Sequence, residues 1–164
     1  MAARRGDAHT LGVQHIKAGK ITWRPSKTAR TTARVLSIRI LPELQAALDA
    51  TATRDTCLAF LLNDYGKPFA SAAAFGNKFA DWCVQAGLQP VFCDDGRMRS
   101  YRAHGLRKAA CKALAHAGCT APEIMSVSGH STLAQVQVYI DEFEAERMAE
   151  SAIDKLTEQR TSSG

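Results

Sequence analysis

The sequence predicts a mainly helical α+β chain, and three observations predict it. Apolar and polar residues alternate in three short runs before residue 41, the pattern of strands that bury one face. From Pro42 onward the apolar spacing changes to three and four residues, the period of helices that bury one stripe. At 164 residues, with 46% hydrophobic and 23% charged residues, the chain is about one domain and large enough for a proper core.

In order, residues 1–7 read as the end of a helical turn. Residues 13–17 alternate, Ala18-Gly19 turns, and residues 21–24 alternate again, which is a β-hairpin. Residues 25–32 form a polar loop rich in Lys and Arg, and residues 35–40 read as the third strand of a small antiparallel sheet. Pro42 suits the first turn of a helix whose apolar face is Leu44, Ala47 and Leu48. A short apolar run, 57–62, precedes the turn at residues 63–66. Phe75, Phe79, Trp82, Cys83 and Ala86 form a core-facing stripe that Gly87 ends as a helix C-cap, so these aromatics read as core and not as a base-stacking platform. Residues 90–100 read as a loop.

From Ala103 the chain is helical, with Leu106, Ala110, Ala113, Leu114 and Ala117 as the buried stripe and Gly118 closing it. Thr120-Ala-Pro-Glu123 has capping-box spacing and opens a short helix that Gly129 ends. Thr132 to Gln135 repeats that spacing and starts the helix that carries Tyr139. A final amphipathic helix follows, with Ala145, Met148, Ala149, Ala152, Ile153 and Leu156 on one face, before a frayed end.

The net charge of +5 is unevenly spread. Residues 1–40 hold nine Lys and Arg against Asp7 alone, whereas residues 141–164 hold seven acids against three bases. The basic part points to a polyanion partner; a solvated basic face that binds nothing is the plain alternative. The first residues lack the apolar segment of a signal peptide, and no apolar run approaches the roughly 20 residues that cross a bilayer. Five cysteines without framework spacing read as buried thiols of a reducing cytosol. Cys111, His116 and Cys119 include no Cys-x-x-Cys pair, so no metal is expected.

The reactive residues gather late. His104 and Arg107, three apart, project from one helix face; Arg107 offers a planar fork for two phosphate oxygens and His104 exchanges a proton near neutral pH. His130 and Tyr139, nine apart, would lie on opposite faces of an unbroken helix. The stop at Gly129 and the restart near Thr132 allow them to converge. A tyrosine nucleophile, with a reference pKa near 10, is only about 0.1% ionised at pH 7, a cost of roughly 4 kcal/mol that a base or a cluster of cations must offset. A half-buried helix tyrosine is the bland alternative for Tyr139, and a chance pair is that for His104 and Arg107.

The pattern resembles the tyrosine recombinases, the phage-integrase family, over nearly the whole chain. His104-Gly105-Leu106-Arg107 matches that family's histidine–arginine box, Gly129-His130 its second histidine, and Tyr139 its nucleophile. Ser26-Lys27-Thr28 is similar to its lysine hairpin, usually Lys-Thr-Gly, with Ala29 in the glycine position. Arg4-Arg5-Gly6-Asp7 fits the Arg-x-x-Glu/Asp segment with Arg4 as the first catalytic arginine and Arg5 as the alternative.

The resemblance implies helices packed around a small three-stranded antiparallel sheet, a catalytic domain over residues 1–140, and a C-terminal amphipathic helix and tail over 141–164. The family usually has a helix before the first arginine and a DNA-clamping domain before that, so the chain reads as a C-terminal catalytic fragment, truncated in the gene or by design, with Arg4 loosely held. The implied reaction is DNA cleavage and rejoining without metal, ATP or other cofactor. Tyr139 attacks a phosphodiester to give a 3′-phosphotyrosyl link and a free 5′-hydroxyl. Arg4, Arg107 and His130 bind the non-bridging oxygens, Lys27 protonates the leaving oxygen and His104 assists proton transfer from Tyr139. The implied partners are double-stranded DNA, with Arg24, Arg30, Arg34, Arg97, Arg99 and Arg102 as candidate contacts, and further copies of the chain in a tetramer docked through the C-terminal helix; packing of that helix in cis is the alternative. The implied location is the cytoplasm and nucleoid of a prokaryote, or a phage-derived setting. Other readings of the same residues are a type IB topoisomerase, a non-catalytic DNA-binding fragment or integrase remnant, and a helical interaction protein with a basic face.

Overall fold

The computed structural model describes residues 2–29, 34–51 and 57–162. The chain forms two compact units, Met1–Lys108 and Ala109–Gly164.

The first unit opens with a single helical turn, α1 (Arg5–Ala8), started by the Arg4 carbonyl, which accepts from the amides of Asp7 at 2.9 Å and Ala8 at 2.8 Å. Residues Val13–His15, expected as strand, form a 3-10 turn that the Gly12 amide closes on His15 Nδ1 at 3.1 Å; the local bond outcompetes extension there. Strands β1 (Ile16–Lys17), β2 (Lys20–Trp23) and β3 (Leu36–Arg39) make the three-stranded antiparallel sheet in sequence order. Ala18 and Gly19 both have positive φ, 49° and 69°, as a two-residue hairpin that follows the strand twist requires. The register Ile21↔Ile38 and Trp23↔Leu36 puts these residues on one face, where Leu11, Ile21, Trp23 and Leu36 form a core with Ala3, Ile38, Ile40 and Phe60 packed against it. Thr22 and Ser37, on the other face, share a 3.0 Å hydrogen bond. Gly12 lies against the returning chain, with the Val13 amide donating to Leu58 O and the Phe60 amide to Leu11 O, both at 2.9 Å; a Cβ on Gly12 would collide with the Leu58 carbonyl.

Helix α2 (Pro42–Asp49) has proline in its first turn and buries Leu48. Helix α3 (Ala72–Gln85) is capped by Ser71 Oγ, which accepts from the Ala74 amide, and is ended by Gly87 at φ 84°. Of the expected core stripe, Phe75 and Cys83 are buried, Phe79 and Trp82 half-buried and Ala86 exposed; Phe69 stacks at a tilt on Phe75 and edge-on to Trp82, and Phe75 meets Phe79, with centroids 5.4, 6.0 and 6.1 Å apart. Residues 90–100 are not the expected loop. They form a hairpin of β4 (Val91–Phe92) and β5 (Met98–Arg99), turned at Gly96, whose short strands are exposed on both faces and so show no alternation in sequence.

Helix α4 (Ala103–His116) contributes its first six residues to the first unit. Its buried stripe differs from the one expected. Leu106 is 60% exposed and Ala113 and Ala117 are exposed, while Arg107, Cys111 and Ala115 are buried. The displacement is one position, about 100° of helix. It occurs because Arg107 has a carbonyl partner that lets a guanidinium leave water.

In the second unit, α5 (Ala121–Ser128) packs on α6 (Ala134–Thr161), with Ile124 and Val136 fully buried, worth about 1.5–3 kcal/mol each. Glu123 Oε2 accepts from Thr120 N and Oγ1, both at 2.7 Å, as the capping spacing predicted, and these bonds lower the Glu123 pKa. Gly129 ends α5 in the left-handed region at φ 69°. Two expectations fail beyond it. The helix begins at Ala134 behind Leu133, which has no side-chain acceptor, and not from a Thr132 cap. The helix of Tyr139 and the final amphipathic helix are one continuous helix, because no glycine or proline interrupts residues 134–161.

Candidate active site

The candidate residues fall into two sets, one in each unit. Arg4, Lys27, His104 and Arg107 belong to the first. Arg107 is 3% exposed, and its Nη1 donates to Ala2 O at 2.6 Å. Asp7, buried at the end of the Arg-x-x-Asp segment, accepts through Oδ1 from Ser26 N at 2.8 Å and Ser26 Oγ at 2.7 Å. Two side chains therefore fasten residues 2–8, one to α4 and one to the turn that carries Lys27. The expectation that Arg4 is loosely held is not met: its backbone starts α1 and the residue is half-buried.

His104 sits in a field of cations. Burial lowers its pKa most, followed by the charges of Lys108, Arg107, Arg5 and Arg4. A histidine held neutral in this way is an acceptor at neutral pH, suited to take a proton. The Arg5 guanidinium lies across α3, where a Cβ on Gly76 would come within 2.6 Å of Nη1. It also lines an apolar cavity of about 350 Å³ with Phe75, Phe79, Trp82 and Leu106. Lys27 is exposed on the short 3-10 turn Ser26–Thr28.

The second unit holds His130 and Tyr139. The left-handed Gly129 turns the chain so that the two rings lie 6.4 Å apart, centroid to centroid, at 45°. The sequence argument from the helix break thus matches the geometry. Ser128 was missed: its Oγ lies 2.7 Å from His130 Nδ1. The signal was present as a hydroxyl two residues from a histidine across a helix-ending glycine. Also missed was the pairing that ties α6 to the second half of α4. Lys112 reaches Glu142 at 2.8 Å, which raises the lysine pKa, and His116 packs on Phe143 with centroids 4.8 Å apart.

Of the candidate DNA contacts, Arg24, Arg97 and Arg102 are exposed and Arg34 is half-buried. Arg99 is paired with Asp95 in the exposed hairpin. Arg30 lies outside the described residues. Among the described residues no three His, Cys, Asp or Glu side chains gather as a metal-holding group, and no helix is long and apolar enough to cross a membrane.

A model of the family described as "Phage integrase family" matches residues 1–146. The chain belongs to the phage integrase family. No curated protein matches it. Among solved structures, the XerA recombinase superposes with a TM-score of 0.68 at 16% identity, covering 92% of this chain and 52% of that one. The Tn1549 transposon integrase in complex with transposon right-end DNA gives 0.61 at 16% identity, covering 90% and 55%. The same integrase with circular-intermediate DNA gives 0.60 at 16%, covering 90% and 56%. At these identities the likeness shows the fold alone, mainly helical with a small antiparallel sheet. The chain spans about half the length of each of these solved chains.

Proposed function

We propose that this integrase-family chain cleaves and rejoins double-stranded DNA through a covalent tyrosyl intermediate. The observation that carries the reading is the approach of the Tyr139 and His130 rings across the Gly129 break, in a chain of a family whose box residues it carries in order. Tyr139 Oη attacks phosphorus, the bond to the 5′-oxygen breaks, and a 3′-phosphotyrosyl link and a 5′-hydroxyl result. His104, held neutral, takes the tyrosyl proton, and Lys27 gives one to the leaving oxygen. Arg4, Arg107 and His130 offset the charge that grows on the non-bridging oxygens. The reading takes support from Tn1549 integrase having been seen in complex with DNA, and from the basic first unit.

Incubation with a nicked duplex tests it. A protein–DNA adduct that survives denaturation and is lost in Tyr139→Phe is expected. DNA binding without adduct would leave a binding fragment in place of an enzyme, and no salt-dependent binding would remove DNA as the partner.

Self-association is part of the same proposal. Residues 145–162 are exposed, and Met148, Ile153 and Leu156 lie in the stripe that the sequence marked, which supports a role for that stripe as the face offered to a second copy. Met148→Lys with Ile153→Glu should lower the mass of the DNA-bound species by light scattering; an unchanged mass would exclude this stripe as the contact.

A further inference from the structure

The Ser128-Gly129-His130 step contains more than a helix stop. Ser128 is the last residue of α5 and is 1% exposed, and its Oγ stands 2.7 Å from His130 Nδ1. The left-handed Gly129, at φ 69° and ψ 30°, reverses the chain and brings the side chains on either side of it to the same place. A serine hydroxyl can donate or accept. A hydroxyl that donates to a neutral imidazole here does so at Nδ1, and the single ring proton is then on Nε2. Beside an imidazolium it accepts from Nδ1–H, and Nε2 again carries a proton.

We propose that Ser128 is a positioning residue that fixes His130 in the orientation and tautomer in which Nε2 is a hydrogen-bond donor, whether the ring is neutral or charged. A phosphate oxygen gathering negative charge needs a donor, and the other tautomer would face it with a lone pair. The expected effect on cleavage rests on the function proposed above; the tautomer itself does not.

Nitrogen-15 NMR of the His130 ring in the DNA-free full chain, above the pH at which the ring titrates, tests the tautomer directly. The proton is expected on Nε2, with Nδ1 shifted as a hydrogen-bonded acceptor. A proton on Nδ1 overturns the proposal, and this result needs no variant. Ser128→Ala should remove the acceptor shift and mix the tautomers, and Ser128→Thr, which keeps the hydroxyl, should restore the wild-type pattern. An alanine spectrum identical to wild type overturns the proposal. On a nicked duplex, Ser128→Ala should slow adduct formation roughly tenfold, the scale of one hydrogen bond, with DNA affinity unchanged and with rescue by threonine. Equal rates for alanine and wild type overturn the positioning role. If the wild-type chain forms no adduct, the proposed function fails while the NMR result still decides the tautomer.

Discussion

The two units differ in charge and in how each holds its reactive groups. Residues 1–108 contain 17 Lys and Arg against eight Asp and Glu, while residues 109–164 contain four against eight. In the basic unit the groups are fixed across long stretches of chain: Arg107 on Ala2 O, 105 residues away, and Asp7 on Ser26, 19 residues away. In the acidic unit they are fixed locally, by one left-handed glycine and a serine–histidine contact two residues apart. Concentrated positive charge resists compaction, so the basic unit needs buried polar anchors that span the chain, whereas in the helical unit the buried hydroxyl of Ser128 bonds to a residue two positions away.

The comparison breaks most directly at Arg107. Replacing it with alanine should slow cleavage on the order of 10²-fold or more, by analogy with the loss of one oxyanion donor. A loss below about threefold in single-turnover cleavage would show that the residue serves only as an anchor. The buried Ala2 carbonyl also loses its partner, so urea denaturation should show destabilisation of about 1–3 kcal/mol.

A paired measurement sharpens the contrast. Asp7→Ala removes the acceptor of two hydrogen bonds, and should cost about 2 kcal/mol with a slower, Lys27-dependent step. Gly129→Ala places a Cβ at φ 69° and should cost about 1–2 kcal/mol while displacing His130. If both variants melt in urea as cheaply as surface changes do, within about 0.5 kcal/mol, neither anchor holds its unit.

The smallest effect is electrostatic. His104 should titrate below the usual 6.5 by NMR, because burial and then Lys108, Arg107, Arg5 and Arg4 oppose its charging. The unfolded chain then binds this proton more readily than the folded one, so the stability linked to His104 is intact above 6.5 and is lost as the pH falls from there through the lower folded-state value. Lys108→Met should move the midpoint back up and shrink that loss. A midpoint at or above 6.5 in the wild type would contradict the cation cluster.

What could be read from sequence follows the same division. The hairpin at Ala18-Gly19, the capping of Thr120 by Glu123, the stop at Gly129 and the meeting of His130 with Tyr139 are set by residues within ten of one another, and all were legible. The hairpin at Val91–Arg99 was not, because its exposed strands carry no burial pattern. The α4 stripe was misplaced because Arg107 counts as polar until its partner at Ala2 is known, and no local pattern reports a bond over 105 residues. Asp7 was recognised only as an acid at the right spacing; its grip on Ser26 depends on the sheet having already formed.

The unbroken helix that carries Tyr139 has a mechanical consequence. At 28 residues it is a rod of about 42 Å, and Tyr139 lies in its second turn while its far half is exposed. A rod has one axis, so a partner that tilts the far half tilts the phenol oxygen by the same angle. Lys112 and His116 meet this rod at Glu142 and Phe143, within about one turn of Tyr139.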